Sequence, residues 1–382
     1  MSATAHAPEI RRDELDGPVE LDRRQLGRRV LAVGAVIVVA VAVITLAPGL
    51  ASLRSRFAHA RPEWLVLGVA LKVASGLSYV AVFRAVFCRQ MRWRLSTEIG
   101  LAELGANAVV PTGGAGGLAL GAWALRRGGM PGDHIARRSV AFFLLTSLPN
   151  VLGVIILGLG LAVGVFGGHA SLALTLVPAV VAAAAIALTL ASGRLAAAAR
   201  ERFVVRRGPE ARLPRALGAI ADGVRESLAL LRARDPLLIV GLIGYLAFDV
   251  MILWSTFHAF GPVPALAILW IAYLIGELGG LLPVPGGIGG VDLGLVGALV
   301  LYRVPVSVAT AAVLAYRALA LWVPAVLGSV AFVMLRRSLS GEAEAISTCP
   351  PGGEVDVIGR GRVRLSNGRE AGGRSAARAR QR

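Results

Sequence analysis

Apolar positions in this chain come in long runs rather than in alternation or in a narrow 3.6-residue stripe. Six stretches, 30–47, 63–87, 139–166, 171–191, 236–258 and 307–335, are apolar almost throughout. A helix needs roughly 20 such residues to cross a hydrocarbon core, so each predicts a membrane span. Two further apolar stretches, 98–125 and 264–301, are interrupted in the middle by glycine and proline. The first reads Glu103-Leu104-Gly105, then Pro111, then Gly113-Gly114-Ala115-Gly116-Gly117. The second reads Glu277-Leu278-Gly279, then Pro285, then Gly286-Gly287-Ile288-Gly289-Gly290. In both, the glutamate lies eight residues before the proline, and only Thr112 lacks a counterpart. The match continues to Met130-Pro131 and Val304-Pro305, and to Pro149 and Pro324 in the helices that follow.

Each interrupted stretch leaves helical pieces too short to span alone at about 1.5 Å per residue. A hairpin that enters and leaves on one face accommodates both pieces. Broken backbone at membrane depth is tolerated only where protein buries it or a wet cavity receives it, and paired breaks in two halves point to a transport site. The expected fold is therefore an all-α polytopic membrane protein. It would be an inverted repeat whose two re-entrant, Gly/Pro-broken helical hairpins meet near the midplane.

Composition supports this reading and adds orientation. Of 382 residues 56% are hydrophobic, and mean hydropathy is +0.70, outside the range of a soluble globular chain. The net charge of +17 is carried by arginine, Lys72 being the only lysine. In a soluble chain that charge would suggest nucleic acid. Here the arginines flank spans, so orientation by the positive-inside rule accounts for them, and no nucleic-acid partner is expected. Arginines before residue 30, in the linker 193–235 and at Arg336-Arg337 place both termini in the cytoplasm; Arg54, Arg56 and Arg61 oppose this assignment. The polar residues before the first run do not fit a cleaved signal. Residues 1–29 and the Gly/Arg/Ser-rich tail 338–382 are expected to be disordered, and 30–337 to form the membrane domain. In the linker, Leu213, Leu217, Ile220, Val224, Leu228 and Leu231 recur at helical spacing, predicting an amphipathic helix on the cytoplasmic surface. Cys88 and Cys349 offer neither metal spacing nor a disulfide framework.

Charges inside spans are costly and mark function or tight pairing. Glu103 and Glu277 stand out because they share one place in the two hairpins. Arg317 lies ten residues into the last long run, and would either pair with Glu277, Asp292, Glu103 or Asp249 or hold an anionic group such as phosphate. Asp292 could also cap the helix that restarts after the glycines. Arg84 and Lys72 are candidates that could instead snorkel, and His258 at a helix end reads as structural. No metalloprotease, hydrolase, P-loop or Cys/His pattern is present, so neither a cofactor nor a metal is expected.

The segments Asn107-x-x-x-Pro111-x-Gly113-Gly114 and Leu282-Pro283-Val284-Pro285-Gly286-Gly287-Ile288-Gly289, with Ala315-Tyr316-Arg317 and Trp322-Val323-Pro324, resemble a known family. It is the transmembrane region of lysylphosphatidylglycerol synthase, also called flippase-like, and the resemblance covers roughly residues 30–337. It implies that Asn107, Pro111, Gly113, Pro283, Pro285, Gly286, Gly287, Gly289 and Arg317 serve a translocation path, with Gly114 beside them. It also implies lipid transport in a bacterial inner membrane, with a phospholipid or lipid-linked substrate and anionic head groups as partners. The soluble aminoacyl-transferase portion of the bifunctional synthases has no counterpart here, so enzyme activity is not expected. A symmetric arginine partner for Arg317 would fall near Phe143, which carries no charge. Two competing readings remain. One is a membrane subunit that anchors a separate envelope synthase or glycosyltransferase; the other is a proton-coupled carrier of a small solute. A homo-oligomer is compatible with any of them.

Overall fold

The structure is a computed structural model and describes residues 55, 57–109, 115–163, 172–207, 212–279 and 290–341. Among these residues there are ten helices and no strand. They are α1 (Pro62–Phe87), α2 (Trp93–Val109), α3 (Ala115–Arg127), α4 (Gly132–Ala162), α5 (Leu172–Arg207), α6 (Arg212–Arg232), α7 (Pro236–Phe260), α8 (Leu266–Gly279), α9 (Gly290–Leu301) and α10 (Val306–Gly341). The first expected span, 30–47, the segment 1–29 and residues 342–382 lie outside the described residues. Five helices are long and apolar enough to cross a membrane, namely Pro62–Phe87, Gly132–Gly160, Ala179–Ala199, Pro236–Phe260 and Val306–Ser338. The chain is thus an all-helical, multi-pass membrane protein.

Helix order repeats. α1 to α4 and α7 to α10 each run as a long helix, two short helices around a break, and a long helix with an internal proline, Pro149 or Pro324. The turn into the last helix is built alike in both halves. Gly129 (φ 90°) and Arg303 (φ 65°) take the left-handed conformation. The following N–H closes the turn on the same carbonyl, Met130 to Leu125 at 3.1 Å and Val304 to Leu299 at 3.0 Å. This is the Schellman termination, made once with glycine and once with arginine, for which a left-handed φ is less favourable.

α1 and α7 form the central pair. Contacts step in opposite directions along them, from Trp64 with His258, through Lys72 with Asp249, to Arg89 with Asp235, so the helices are antiparallel. Their interface uses small residues. A Cβ on Gly241 would stand 2.8 Å from Val82 Cγ2, and one on Gly244 2.7 Å from Ser78 Oγ. Such residues let membrane helices approach closely where no hydrophobic effect drives them together.

α6 covers the expected amphipathic segment. It packs on α4 and α5, burying Ala221, Val224 and Ser227, and Arg138 of α4 holds Glu226 at 2.8 Å. Its apolar stripe is therefore partly consumed inside the protein, while Ile220 remains exposed. The alanine-rich stretch before it stays helical to Arg207, as high helix propensity favours, and the linker is correspondingly shorter.

Candidate functional site

The first hairpin is closed around its glutamate. Glu103 on α2 is 1% exposed. The Tyr79 hydroxyl of α1 donates to its Oε2 at 2.9 Å, and its Oε1 lies where a Cβ on Gly121 of α3 would stand. One turn further on, Asn107 Oδ1 accepts the backbone N–H of Gly117 at 2.7 Å. The pairs 103/121 and 107/117 advance oppositely along the chain, so α2 and α3 are antiparallel arms. Asn107 therefore caps α3 from the neighbouring arm, satisfying a first-turn N–H that has no helical partner.

The second half carries its charges differently. Lys72 Nζ of α1 lies 2.8 Å from Asp249 Oδ1 of α7, both side chains buried. The Tyr273 hydroxyl of α8 approaches Asp249 Oδ2 at 3.4 Å. Arg317 Nε of α10 lies 2.6 Å from Asp292 Oδ1 of α9, the pair half-buried. Glu277 is exposed. Asp249, Arg317 and Lys72 are within its electrostatic reach. Two cations thus face three carboxylates, and Glu277 has no hydrogen bond or ion pair among the described residues. Such a cluster can accept a cationic group or a proton. If a phosphate arrived together with an amine, Arg317 and Asp292 could exchange partners and leave no charge uncovered.

The two glutamate sites are joined through phenols. Tyr79 and Tyr245 have ring centroids 5.6 Å apart, and Tyr245 lies in the field of both Asp249 and Glu277. Tyr273 and Tyr316 meet edge to face at 6.2 Å.

The structure thus groups Asp249, Glu277, Asp292 and Arg317, with Glu103 and Asn107 in the adjoining hairpin. Arg84 is elsewhere. It donates to Met91 O at 2.8 Å and stacks over Trp93 at 4.5 Å, bracing the turn from α1 to α2. Pro111, Gly113, Gly114, Pro283, Pro285, Gly286, Gly287 and Gly289 lie outside the described residues. Phe143 is 54% exposed. Lys72 pairs instead of snorkelling, and His258 stacks on Trp64 and Trp254 at 4.2 and 4.1 Å.

Sequence reasoning missed Tyr79, Tyr273 and Gly121. A signal existed: Tyr79 precedes Glu103 by 24 residues, and Asp249 precedes Tyr273 by 24. The same bond from long helix to short helix is made twice, with acid and phenol exchanged and the second displaced by one turn from the register Leu253/Glu277.

One comparison with known proteins bears on this arrangement. The family described as Lysylphosphatidylglycerol synthase TM region matches residues 30–328. No curated protein and no solved structure matches the chain.

Proposed function

Because the chain belongs to the lysylphosphatidylglycerol synthase transmembrane-region family, we propose that it moves a phospholipid or lipid-linked head group between leaflets. The observation that carries the reading is the accessible Glu277 beside the pairs Lys72–Asp249 and Arg317–Asp292. A charged head group cannot cross hydrocarbon without countercharges. This cluster offers both signs close together, with one negative charge in excess. A head group bearing an amine and a phosphate fits it: the amine at Glu277 or Asp292, the phosphate at Arg317. The acyl chains would stay in lipid while the head group passes between the hairpins, which enter from opposite faces in this reading. The arginine distribution favours cytoplasmic termini, and a bacterial inner membrane is part of the same proposal.

The test is transbilayer movement of labelled phosphatidylglycerol and phosphatidylethanolamine in liposomes holding the purified chain. Movement by the wild type that Glu277→Gln and Arg317→Ala abolish is the expected result. A folded wild type that moves neither lipid overturns the reading and leaves an anchor of an envelope enzyme as its successor.

A further inference from the structure

Two seams in the molecule correspond by sequence register, and they are closed differently. α2 lies against α10 backbone to backbone: a Cβ on Gly105 would stand 2.7 Å from Gly328 Cα and 3.0 Å from Pro324 O. Where α8 meets α4, contact is thinner and is made by side chains. A Cβ on Gly153 would meet Leu274 Cδ1 at 3.2 Å and Trp270 Nε1 at 3.5 Å. The Trp270 indole nitrogen is fully buried and has no hydrogen-bond partner among the described residues. A buried indole N–H ordinarily finds an acceptor, so this donor stands in the seam with its valence unused.

The seam leads inward. Trp270, Tyr273, Leu274 and Glu277 follow at helical spacing on one side of α8, and Glu277 lies two turns, about 11 Å, from Trp270. Outside, exposed Leu152 and Ile156 of α4 and Leu266 of α8 form an apolar margin, the surface that acyl chains wet. The geometry points to the α4/α8 seam as the lateral portal for the lipid, with the Trp270 N–H donating to an acceptor oxygen of a glycerophospholipid. That oxygen belongs to the phosphate or to an ester carbonyl, seated there while the head group reaches Glu277. This assignment rests on the proposed lipid translocation and adds where the lipid enters.

Binding of phosphatidylglycerol to the full, delipidated chain in detergent, followed by native mass spectrometry beside thermal unfolding, tests it. Trp270→Phe keeps the ring and removes the donor. It is expected to weaken binding about tenfold while leaving the lipid-free protein as stable as the wild type, or more so. Trp322→Phe, at an exposed tryptophan of α10, should change neither. An ester-free diether analogue that erases the effect of Trp270→Phe assigns the carbonyl; one that preserves it assigns the phosphate. Binding by the wild type that Trp270→Phe leaves intact overturns the portal alone. Binding lost together with lipid-free stability also overturns it, since the indole would then be packing. Competition by inorganic phosphate at equal concentration would overturn the lipid as occupant. A wild type that binds no phospholipid removes the translocase reading itself.

Discussion

The hairpin α2/α3 and the hairpin α8/α9 share a sequence pattern yet sit differently in the protein. In the first, Glu103 is sealed by Tyr79 and Gly121, and α2 is pressed onto α10 through Gly105 and Gly328. In the second, Glu277 keeps accessible surface, and α8 is held off α4 by Trp270 and Leu274. By register α2 carries Ser96 and Gly100 where α8 carries Trp270 and Leu274; Gly100 lies against Val80 of α1, while Gly105 makes the contact with α10. A few side-chain volumes thus decide whether a repeated helix meets its neighbour through backbone or through side chains. In the translocase reading, one seam is shut while its counterpart admits substrate.

The largest predicted effect separates the two carboxylate sites by charge. Asp249→Ala leaves the Lys72 ammonium buried without its partner, a loss of about 3–5 kcal/mol. Lys72→Met combined with Asp249→Leu should recover most of it. Glu103→Gln keeps an acceptor for the Tyr79 hydroxyl and should cost about 1 kcal/mol or less. Denaturant unfolding in detergent ranks the three. Equal losses for Asp249→Ala and Glu103→Gln would show that the sites are electrostatically alike.

The seams come next. Gly328→Val drives a side chain into the backbone of α2, where Leu101 O would lie 2.6 Å from the new Cβ, and should cost about 3 kcal/mol. Gly153→Ala meets side-chain atoms of Leu274, Trp270 and Leu246 at 3.2–3.9 Å and no backbone, so a change below about 1 kcal/mol is expected. Melting temperatures of the two variants decide the matter, and comparable drops would erase the distinction between seams.

A smaller contrast lies within the hairpins. Gly121→Ala must displace Glu103 Oε1, costing about 2 kcal/mol, and Glu103→Ala in the same chain should relieve the clash. Gly294→Ala, 3.5 Å from Gly276 Cα, is in ordinary contact. It should be neutral or gain up to about 1 kcal/mol from the loss of a helical glycine. A double-mutant cycle on 103 and 121 that proves additive would show that the two do not touch.

Much of the fold was readable because membrane helices declare themselves by length. The apolar stretches 63–87 and 236–258 match Pro62–Phe87 and Pro236–Phe260 almost residue for residue, since Pro62 and Pro236 start those helices and fix their first turns. The site was less readable. Lys72 sits ten residues inside α1, and composition alone does not reveal which neighbouring helix supplies its counterion; Asp249 comes from 177 residues away. Several carboxylates were open partners for Arg317, and only the proximity of α9 to α10 selects Asp292. The α6 stripe was visible, but an apolar stripe does not say whether lipid or protein covers it. Pairing across helices depends on packing, and packing here turns on glycines whose role shows only when their neighbours are in place.

The smallest effect concerns the cap that only the first hairpin shows among the described residues. Gly117 lies in the first turn of α3, which starts at Ala115, so its N–H has no carbonyl one turn back and takes Asn107 Oδ1 at 2.7 Å. Asn107→Ala removes that acceptor at a cost of about 1 kcal/mol, roughly a fivefold change in the opening equilibrium. Asn107→Asp retains the oxygen and places negative charge at the positive end of the helix, so it should hold the bond. Hydrogen exchange at the Gly117 amide reads this directly: faster in Asn107→Ala, close to wild type in Asn107→Asp. Unchanged exchange in both variants would mean that the arms of the hairpin are held by Glu103 against Gly121. The first hairpin would then be closed by its buried carboxylate alone, and the second would differ from it only in leaving that carboxylate accessible.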